Sequence, residues 1–397
     1  YDSSFWSMFL PIRKNLQIGA GLVNVVSVTE FKAILAHEFG HFSQKSMKVG
    51  SYVYNVNKVI YNMLYENEGF GTLAQGVANA SGYFVYFVRI AVWIVNQIQW
   101  VLRKVYEVVN ISYMRLSREM EFHADEVAAS VTGSQPMSTV LLRLDLAEHS
   151  YSTVLDYYNS KIKDAVKTDN IYPQQQYILQ FLGKESQLPF VQELPQVTLN
   201  HVSRFNQSKL VINDQWASHP SIEDRVRRLE NLAYPAGHTD NRIAIFLFQN
   251  PGKLQEQLTR FLFSTVEYKS PEKWIQSNQF IEEFTTRYIA DSFDAKYNKY
   301  YDSKDVAAVK EEDITPEMHG IRTSMEMLFE KKKVDLVYSA YSLARDIATL
   351  KIMMEGNHRI RYFEYDGEKY EPIDCHYLVP SLEKKLDEHG IGVLYID

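Results

Sequence analysis

The feature that most constrains the fold is a long apolar run between Tyr83 and Val109, YFVYFVRIAVWIVNQIQWVLRKVYEVV. Its length suits a membrane span, since roughly 20 apolar residues cross a bilayer as a helix. On a helical wheel at about 100° per residue, however, five polar side chains fall within about 80° of one another. They are Arg89, Asn96, Gln99, Arg103 and Glu107. We therefore expect a helix that is buried against protein or lies on a membrane surface, in preference to a clean span.

The overall composition excludes several other classes of protein. A chain of 397 residues is long enough for two domains, or for one domain with large insertions. Because 42 Lys and Arg face 49 Asp and Glu, there is no electrostatic case for a nucleic-acid partner. The single cysteine, Cys375, excludes an intrachain disulfide and a cysteine-based zinc cluster. Any catalytic metal must therefore be held by histidines and carboxylates.

The start of the chain does not have the pattern of a signal peptide. It begins at Tyr1 with YDSSFWSMFL, and no basic flank or small-residue cleavage site follows. We therefore expect the chain to be a fragment of a longer protein, whose preceding part includes membrane spans if the parent is a membrane protein.

The segment AHEFGH, Ala36 to His41, is a candidate metal site. On a helix, His37 and His41 are i and i+4, so both imidazoles project from one face and can hold the same ion. Upstream, LQIGAGLVNVVSVTEF predicts a strand or hairpin. Ser27 and Glu30 then have the spacing of a capping box, which predicts a helix that carries AHEFGH and ends near Gly50.

Two histidines do not complete a catalytic zinc site, which normally has three protein ligands and one position open to water. The best third candidate is Glu121 in EFHAD, because Asp125 lies four residues later on the same helical face. Asp125 would accept a hydrogen bond from a ligand imidazole and fix its tautomer. His123 is two residues from Glu121, so its side chain points away from such a site.

The remaining chemistry has candidates as well. Glu38, beside the metal, is the predicted general base for water that zinc activates. The stretch SHPSIEDR offers His219 as a donor to a developing oxyanion and Arg225 as a further cationic group. Pro220 suits the first turn of the helix that would present them.

Three blocks in this order, AHEFGHF, SREMEFHADEVAA and SHPSIEDRVRRLENL, resemble the signature blocks of the HtpX and CAAX prenyl endopeptidase family of gluzincin metallopeptidases. The resemblance covers about the first 235 residues. It implies one zinc ion, and it assigns a role to each matching residue. These are the ligands His37, His41 and Glu121, the base Glu38, the active-site His219, and the supporting Asp125 and Arg225.

The resemblance has two further implications. A β-element around Leu16 to Val26 would lie beside the cleft, where an edge strand can pair with an extended substrate. Many members of the family also span the membrane before HExxH and between the first two blocks, where the apolar run falls. We therefore expect membrane association of the full-length protein, with the cytoplasmic face favoured.

The predicted organisation has two parts. Residues 1–235 form a gluzincin-like, mainly helical α+β metallopeptidase domain with a small sheet and an irregular excursion at about 164–215. Residues 236–397 form an α+β accessory domain, with a hairpin around Asp366-Gly367. The role of this second domain and the oligomeric state are open.

The function predicted from these residues is a zinc endopeptidase acting on peptides or proteins, in membrane-linked proteolysis or protein quality control. The alternative is a non-catalytic module in which zinc holds the fold and the C-terminal half recruits a partner. A third hypothesis is a latent enzyme, gated by the 164–215 excursion or by missing upstream spans.

Overall fold

The structure is a computed structural model that describes residues 16–43, 53, 56–57, 59–60, 84–199, 201, 207–212, 219–302, 324–355, 360 and 362–393. It divides into two compact units. The first comprises Tyr1–His149, Phe190–Pro195 and Asp214–Pro251; the second comprises Ser150–Pro189, Gln196–Asn213 and Gly252–Asp397. The predicted domain boundary at residues 235 and 236 stays a prediction.

The described residues form a mainly helical α+β fold, which confirms the predicted fold class. The α-helices are α1 Ala20–Val23, α2 Val28–Ser43, α3 Phe84–Thr132, α4 Ser134–Ser160, α5 Tyr172–Glu185, α6 Ile222–Leu232, α7 Pro251–Ser264, α8 Ser277–Asp291, α9 Met325–Leu328, α10 Lys331–Met354 and α11 Cys375–Val393. The strands are β1 Val166–Lys167, β2 Phe190–Val191, β3 Leu194–Pro195, β4 Leu210–Val211, β5 Lys273–Trp274, β6 Phe363–Tyr365 and β7 Glu368–Tyr370.

The predicted strand upstream of AHEFGH is wrong. Residues 20–23 form the single-turn helix α1, in which the Asn24 amide donates to the Ala20 carbonyl. Among the residues that the structure describes, extended pairing of this segment is limited to an isolated antiparallel bridge between Ser27 and Ile243. The β-branched residues that suggested a strand, Val23, Val25 and Val26, are instead buried in the core. The described residues therefore offer no edge strand at 16–26 for an extended substrate.

The capping box at the start of α2 is confirmed. The Glu30 amide donates to Ser27 Oγ at 3.2 Å, and the Ser27 amide donates to Glu30 Oε2 at 2.7 Å. These bonds satisfy amides that the first turn of a helix leaves without intrahelical partners. The end predicted near Gly50 lies outside the described residues, which follow α2 to Ser43.

Gly133 separates α3 from α4, the two longest helices in the described part of the chain. Its φ of +91° is in the left-handed region, and its amide donates to the Ala129 carbonyl at 2.8 Å, which ends α3. A Cβ at this position would lie 2.5 Å from the Cα of Ala236. Glycine is therefore needed both for the turn and for the close approach.

The N-terminal half of α3 presents the predicted apolar surface to the outside. Its exposed apolar side chains are Ile90, Trp93, Ile94, Ile98, Trp100, Val101, Val105 and Val108. The polar residues Asn96, Gln97, Arg103 and Lys104 are exposed as well. By contrast, Asn110 is buried, and its Oδ1 accepts a hydrogen bond from Asn57 at 2.5 Å. Nowhere in the part of the chain that the structure describes is a helix long and apolar enough to cross a membrane.

In the second unit, the predicted irregular excursion at 164–215 is wrong over α5. This helix has Pro173 in its first turn, where a proline costs no hydrogen bond. Gln174 and Gln175 of the polar QQQ tract are fully buried, and Gln174 Oε1 accepts from the Tyr158 hydroxyl at 3.0 Å. The polar side chain of Gln174 can be buried in this helix because a hydrogen-bond partner satisfies its amide.

The described sheets are small. Strand β1 pairs in parallel with β5, β2 pairs with β3 in a hairpin, and β4, β6 and β7 form an antiparallel sheet. The β6–β7 turn contains Asp366 and Gly367, so the predicted hairpin is confirmed. Cys375 is buried beside Phe363 and Leu382, as expected for a small apolar residue.

Candidate metal centre

The start of helix α2 is fixed by a buried ion pair in addition to its capping box. Arg143 on α4 is 1% exposed and forms an ion pair with the carboxylate of Glu30, with Nη1 donating to Oε2 at 3.1 Å. Its Nη1 also lies 3.4 Å from the Val25 carbonyl oxygen. The helix that carries HExxH is thus tied to α4 at its first turn.

The three predicted metal ligands lie together. Nε2 of His37 is 3.1 Å from Nε2 of His41, and Glu121 Oε2 and Oε1 lie 3.5 and 3.3 Å from these two nitrogens. One donor atom from each residue lies within 4.8 Å of the other two. Tetrahedral zinc, with bonds of about 2.0–2.1 Å to nitrogen and oxygen, holds its ligands roughly 3.3–3.4 Å apart. The spacing of the three donors therefore fits one zinc ion.

Asp125 lies behind His37, where the sequence predicts it. Its Oδ1 is 3.0 Å from Nδ1 of His37, which is ion-pair distance. A proton on Nδ1 would therefore face this carboxylate and leave the lone pair of Nε2 directed at His41 and Glu121. The 3.1 Å between the two Nε2 atoms is a hydrogen bond when His41 carries its proton on Nε2; otherwise two lone pairs face each other, an arrangement that favours a bound cation.

Arg225 on α6 contacts the two carboxylates of the site. Its Nε and Nη2 donate to Asp125 Oδ2 and Oδ1 at 2.8 and 2.6 Å, a bidentate pair, and its Nη1 lies 3.7 Å from Glu121 Oε2. Helix α6 begins after Ser221, whose Oγ accepts from the Asp224 amide. Ser221 is therefore the N-cap and Pro220 precedes it, so the predicted place of Pro220 in the first turn is wrong.

These neighbours perturb the titration of the metal-free site. Burial lowers the pKa of His37, but hydrogen bonds with Asp125 and Glu121 outweigh it and raise the pKa to about 9. Burial raises the pKa of Glu121, yet hydrogen bonds with His37 and His41 and the charge of Arg225 hold it well below its usual range. Without metal, a proton is therefore retained among ligands that would otherwise repel one another.

Glu38 and His219 lie beside the three predicted ligands and are more exposed than His37 and Glu121. Glu38 is half-buried on α2, one step of about 100° around the helix from His37. His219 lies just before α6, with 66% of its side chain exposed and Nδ1 3.2 Å from Glu121 Oε1. It does not belong to the group of three converging donors.

Two features of this site were not predicted from the sequence. The Glu30–Arg143 pair joins residues far apart in the chain, and no local pattern indicates it. The close packing of α2 on α3 at Gly40 has one signal, a glycine inside a predicted helix. His123, set aside as a ligand, is exposed.

Comparison with known proteins gives one family and one curated relative. The model of peptidase family M48 matches residues 12–233. Protease HtpX homolog 2 of Methanosarcina mazei is 25% identical over 219 residues, which cover 54% of this chain. The match spans 58% of the length of that relative. No solved structure matches the chain.

Proposed function

The chain belongs to peptidase family M48, and on this premise we propose that it is a zinc-dependent endopeptidase in which Glu38 is the general base. One observation carries the proposal: two imidazole nitrogens and a carboxylate oxygen, from His37, His41 and Glu121, converge within 4.8 Å. This ligand set, with one position left for water, is that of catalytic zinc sites in peptidases.

A bound zinc ion would supply a Lewis acid that polarises a peptide carbonyl and lowers the pKa of water toward neutrality. The chain's own residues have the other roles. Glu38 accepts the proton of the attacking water and passes it to the leaving amine. Asp125 keeps the proton of His37 on Nδ1, and Arg225 holds Asp125 in place through two hydrogen bonds.

His219 is proposed to donate a hydrogen bond to the oxyanion that develops on the scissile carbonyl. Its exposure leaves the imidazole accessible to a substrate, and its position beside Glu121 brings it close to the metal ligands. We expect His219→Ala to lower kcat by about 100-fold or more at unchanged zinc content. Loss of zinc with this substitution would instead identify His219 as a residue that holds the ligands.

The main test is Glu38→Gln, which keeps the size of the side chain and removes its basicity. We expect the variant to bind one zinc per chain and to lose cleavage of casein. Glu119→Gln, at an exposed position of α3 with 61% of its side chain accessible, is the matched control and should cleave normally. Cleavage by Glu38→Gln at the rate of the unaltered chain would refute the assignment of the base.

Two other outcomes separate the alternatives. Zinc bound by the unaltered chain with no turnover under any condition favours a zinc-stabilised binding module. Recovery of activity in a longer form of the protein, at the same zinc content, favours a latent enzyme.

We also propose that the protein associates with a membrane through the exposed apolar face of α3, the eight side chains between Ile90 and Val108. This segment does not bury its apolar side as a soluble amphipathic helix does, because Trp93 and Trp100 are exposed together with the polar Asn96. Tryptophan is favoured at the interface between lipid and water. An exposed patch of two tryptophans and six aliphatic side chains is the kind of surface that marks an interaction with a membrane or a protein.

Flotation with phosphatidylcholine vesicles tests this association. Ile94→Ser with Ile98→Ser should reduce the floating fraction, while Ile289→Ser, at an exposed position of α8, should leave it unchanged. If the unaltered chain does not float and instead forms dimers that these two substitutions dissociate, the face pairs two copies and the membrane proposal is wrong.

A further inference from the structure

A glycine lies at the closest approach of the two helices that carry the metal ligands. Gly40 on α2 lies between His37 and His41, and it packs on α3 against Ala124, which lies between Glu121 and Asp125. The helices therefore touch within the ligand set itself.

The contact is closer than a methyl group at Gly40 would normally allow. A Cβ built on Gly40 would lie 3.2 Å from the Cα of Ala124, 3.3 Å from the Cβ of Val127 and 3.5 Å from the Cβ of Ala124. The nearest atom is backbone, which cannot rotate away as a side chain can. A methyl group at Gly40 would therefore be accommodated by moving α2 and α3 apart by a few tenths of an ångström.

The backbone conformation does not require glycine at this position. Gly40 lies inside α2, and its φ is outside the left-handed region. Alanine forms helix better than glycine, so local preference also favours alanine here. The close packing of α2 on α3 is therefore the physical reason for a glycine at position 40.

We propose that Gly40 is a positioning residue that sets the distance between the two histidines on α2 and the carboxylate of Glu121 on α3. His37 and His41 belong to one helix, so a separation of the helices leaves their 3.1 Å spacing unchanged. The 3.3 and 3.5 Å distances to Glu121 would both lengthen. The proposal rests on the proposed zinc site and predicts that the carboxylate ligand alone is affected.

The test is Gly40→Ala, with zinc affinity measured by competition with a chromophoric chelator. We expect the affinity to fall at least tenfold. The visible spectrum of the cobalt-substituted protein should change as well, because it reports the ligand geometry. The thermal midpoint of the chelator-treated variant should stay close to that of the unaltered chain, because the better helix former offsets the strain.

Two further variants complete the design. Gly252→Ala, on α7, places a methyl group where no atom lies within 4 Å and should leave zinc affinity unchanged. Ala124→Ser adds an atom from the opposite helix and should weaken zinc binding in the same way. If Gly40→Ala does not fold, Ala124→Ser tests the proposal by itself.

Zinc affinity and a cobalt spectrum like those of the unaltered chain in both Gly40→Ala and Ala124→Ser would overturn the proposal. That result leaves the proposed peptidase function intact. An unaltered chain that binds no zinc would contradict the proposed function itself and, with it, the role of Gly40.

Discussion

Replacing Asp125 by asparagine removes one charge from the candidate metal centre and preserves its shape. The carboxylate faces donors on both sides, with His37 Nδ1 at 3.0 Å and Arg225 Nη2 and Nε at 2.6 and 2.8 Å. An amide has one acceptor oxygen and one NH₂ group. The NH₂ group must therefore face a donor on one of these sides, and at least one hydrogen bond is lost.

The expected loss of stability follows from the charge that remains. Arg225 is 13% exposed at its side chain and stays positively charged, so the variant leaves half of a buried ion pair. Removing one partner of such a pair costs about 3–5 kcal/mol. Glu121, 3.7 Å from Arg225 Nη1, provides partial compensation. We therefore expect a loss of about 2–3 kcal/mol in the free energy of unfolding, below the full range for a broken buried pair.

The same substitution should weaken zinc binding about 10- to 100-fold, the usual effect of losing the carboxylate behind a ligand histidine. Urea unfolding of the chelator-treated protein measures the first effect, and competition with a chelator measures the second. Glu119→Gln removes the same charge at an exposed position of α3 and should change the free energy of unfolding by about 1 kcal/mol or less.

Two results would refute this reasoning. If Asp125→Asn destabilises the protein but leaves zinc affinity unchanged, Asp125 does not orient His37. If Arg225→Met together with Asp125→Asn costs as much as the two single changes added, the two residues do not act as a buried pair.

Three further predictions concern the surrounding structure. Arg143→Met should lower the free energy of unfolding by about 3–5 kcal/mol, because it leaves Glu30 buried without its cation. Adding Glu30→Gln to this variant should restore part of the loss, and urea unfolding measures the stability of the single and the double variant. Because the pKa of His37 in the metal-free site is about 9, above its usual 6.5, its contribution to stability should be complete below about pH 6.5 and lost as the pH rises through 9. Zinc affinity should rise over the same interval, as titration calorimetry across this range would show. Gly133→Ala should destabilise the protein by about 2 kcal/mol or more, measured by urea unfolding, because φ is +91° and its Cβ would lie 2.5 Å from the Cα of Ala236.

The candidate site was largely readable from local spacing. Residues i and i+4 share a helix face whatever the rest of the chain does, so the sequence alone paired His37 with His41 and Glu121 with Asp125. Ser27 and Glu30 likewise cap a helix through contacts three residues apart. The same holds for the Asp366-Gly367 hairpin, whose two-residue turn fixes the pairing of β6 with β7.

Local patterns failed where burial decided the structure. Val23, Val25 and Val26 suggested a strand, but α1 forms and their side chains enter the core. An irregular excursion was predicted at 164–215, but Gln174 is buried in the helix α5, where Tyr158 on another helix supplies its hydrogen bond. For the valines, the free energy of tertiary packing exceeds a weak local preference for strand. Glutamine forms helix readily, so here the sequence lacks only the information that a buried partner is available for the amide.

The sequence by itself determined which residues can bind a metal and which helix faces they occupy, since these follow from covalent spacing and helix geometry. Only the tertiary structure decided how far apart the ligand-bearing faces of α2 and α3 lie. That distance depends on the contact of Gly40 with Ala124 and on the anchoring of α2 by Arg143. Both contacts join segments distant in the chain, and their geometry exists only once the helices have packed.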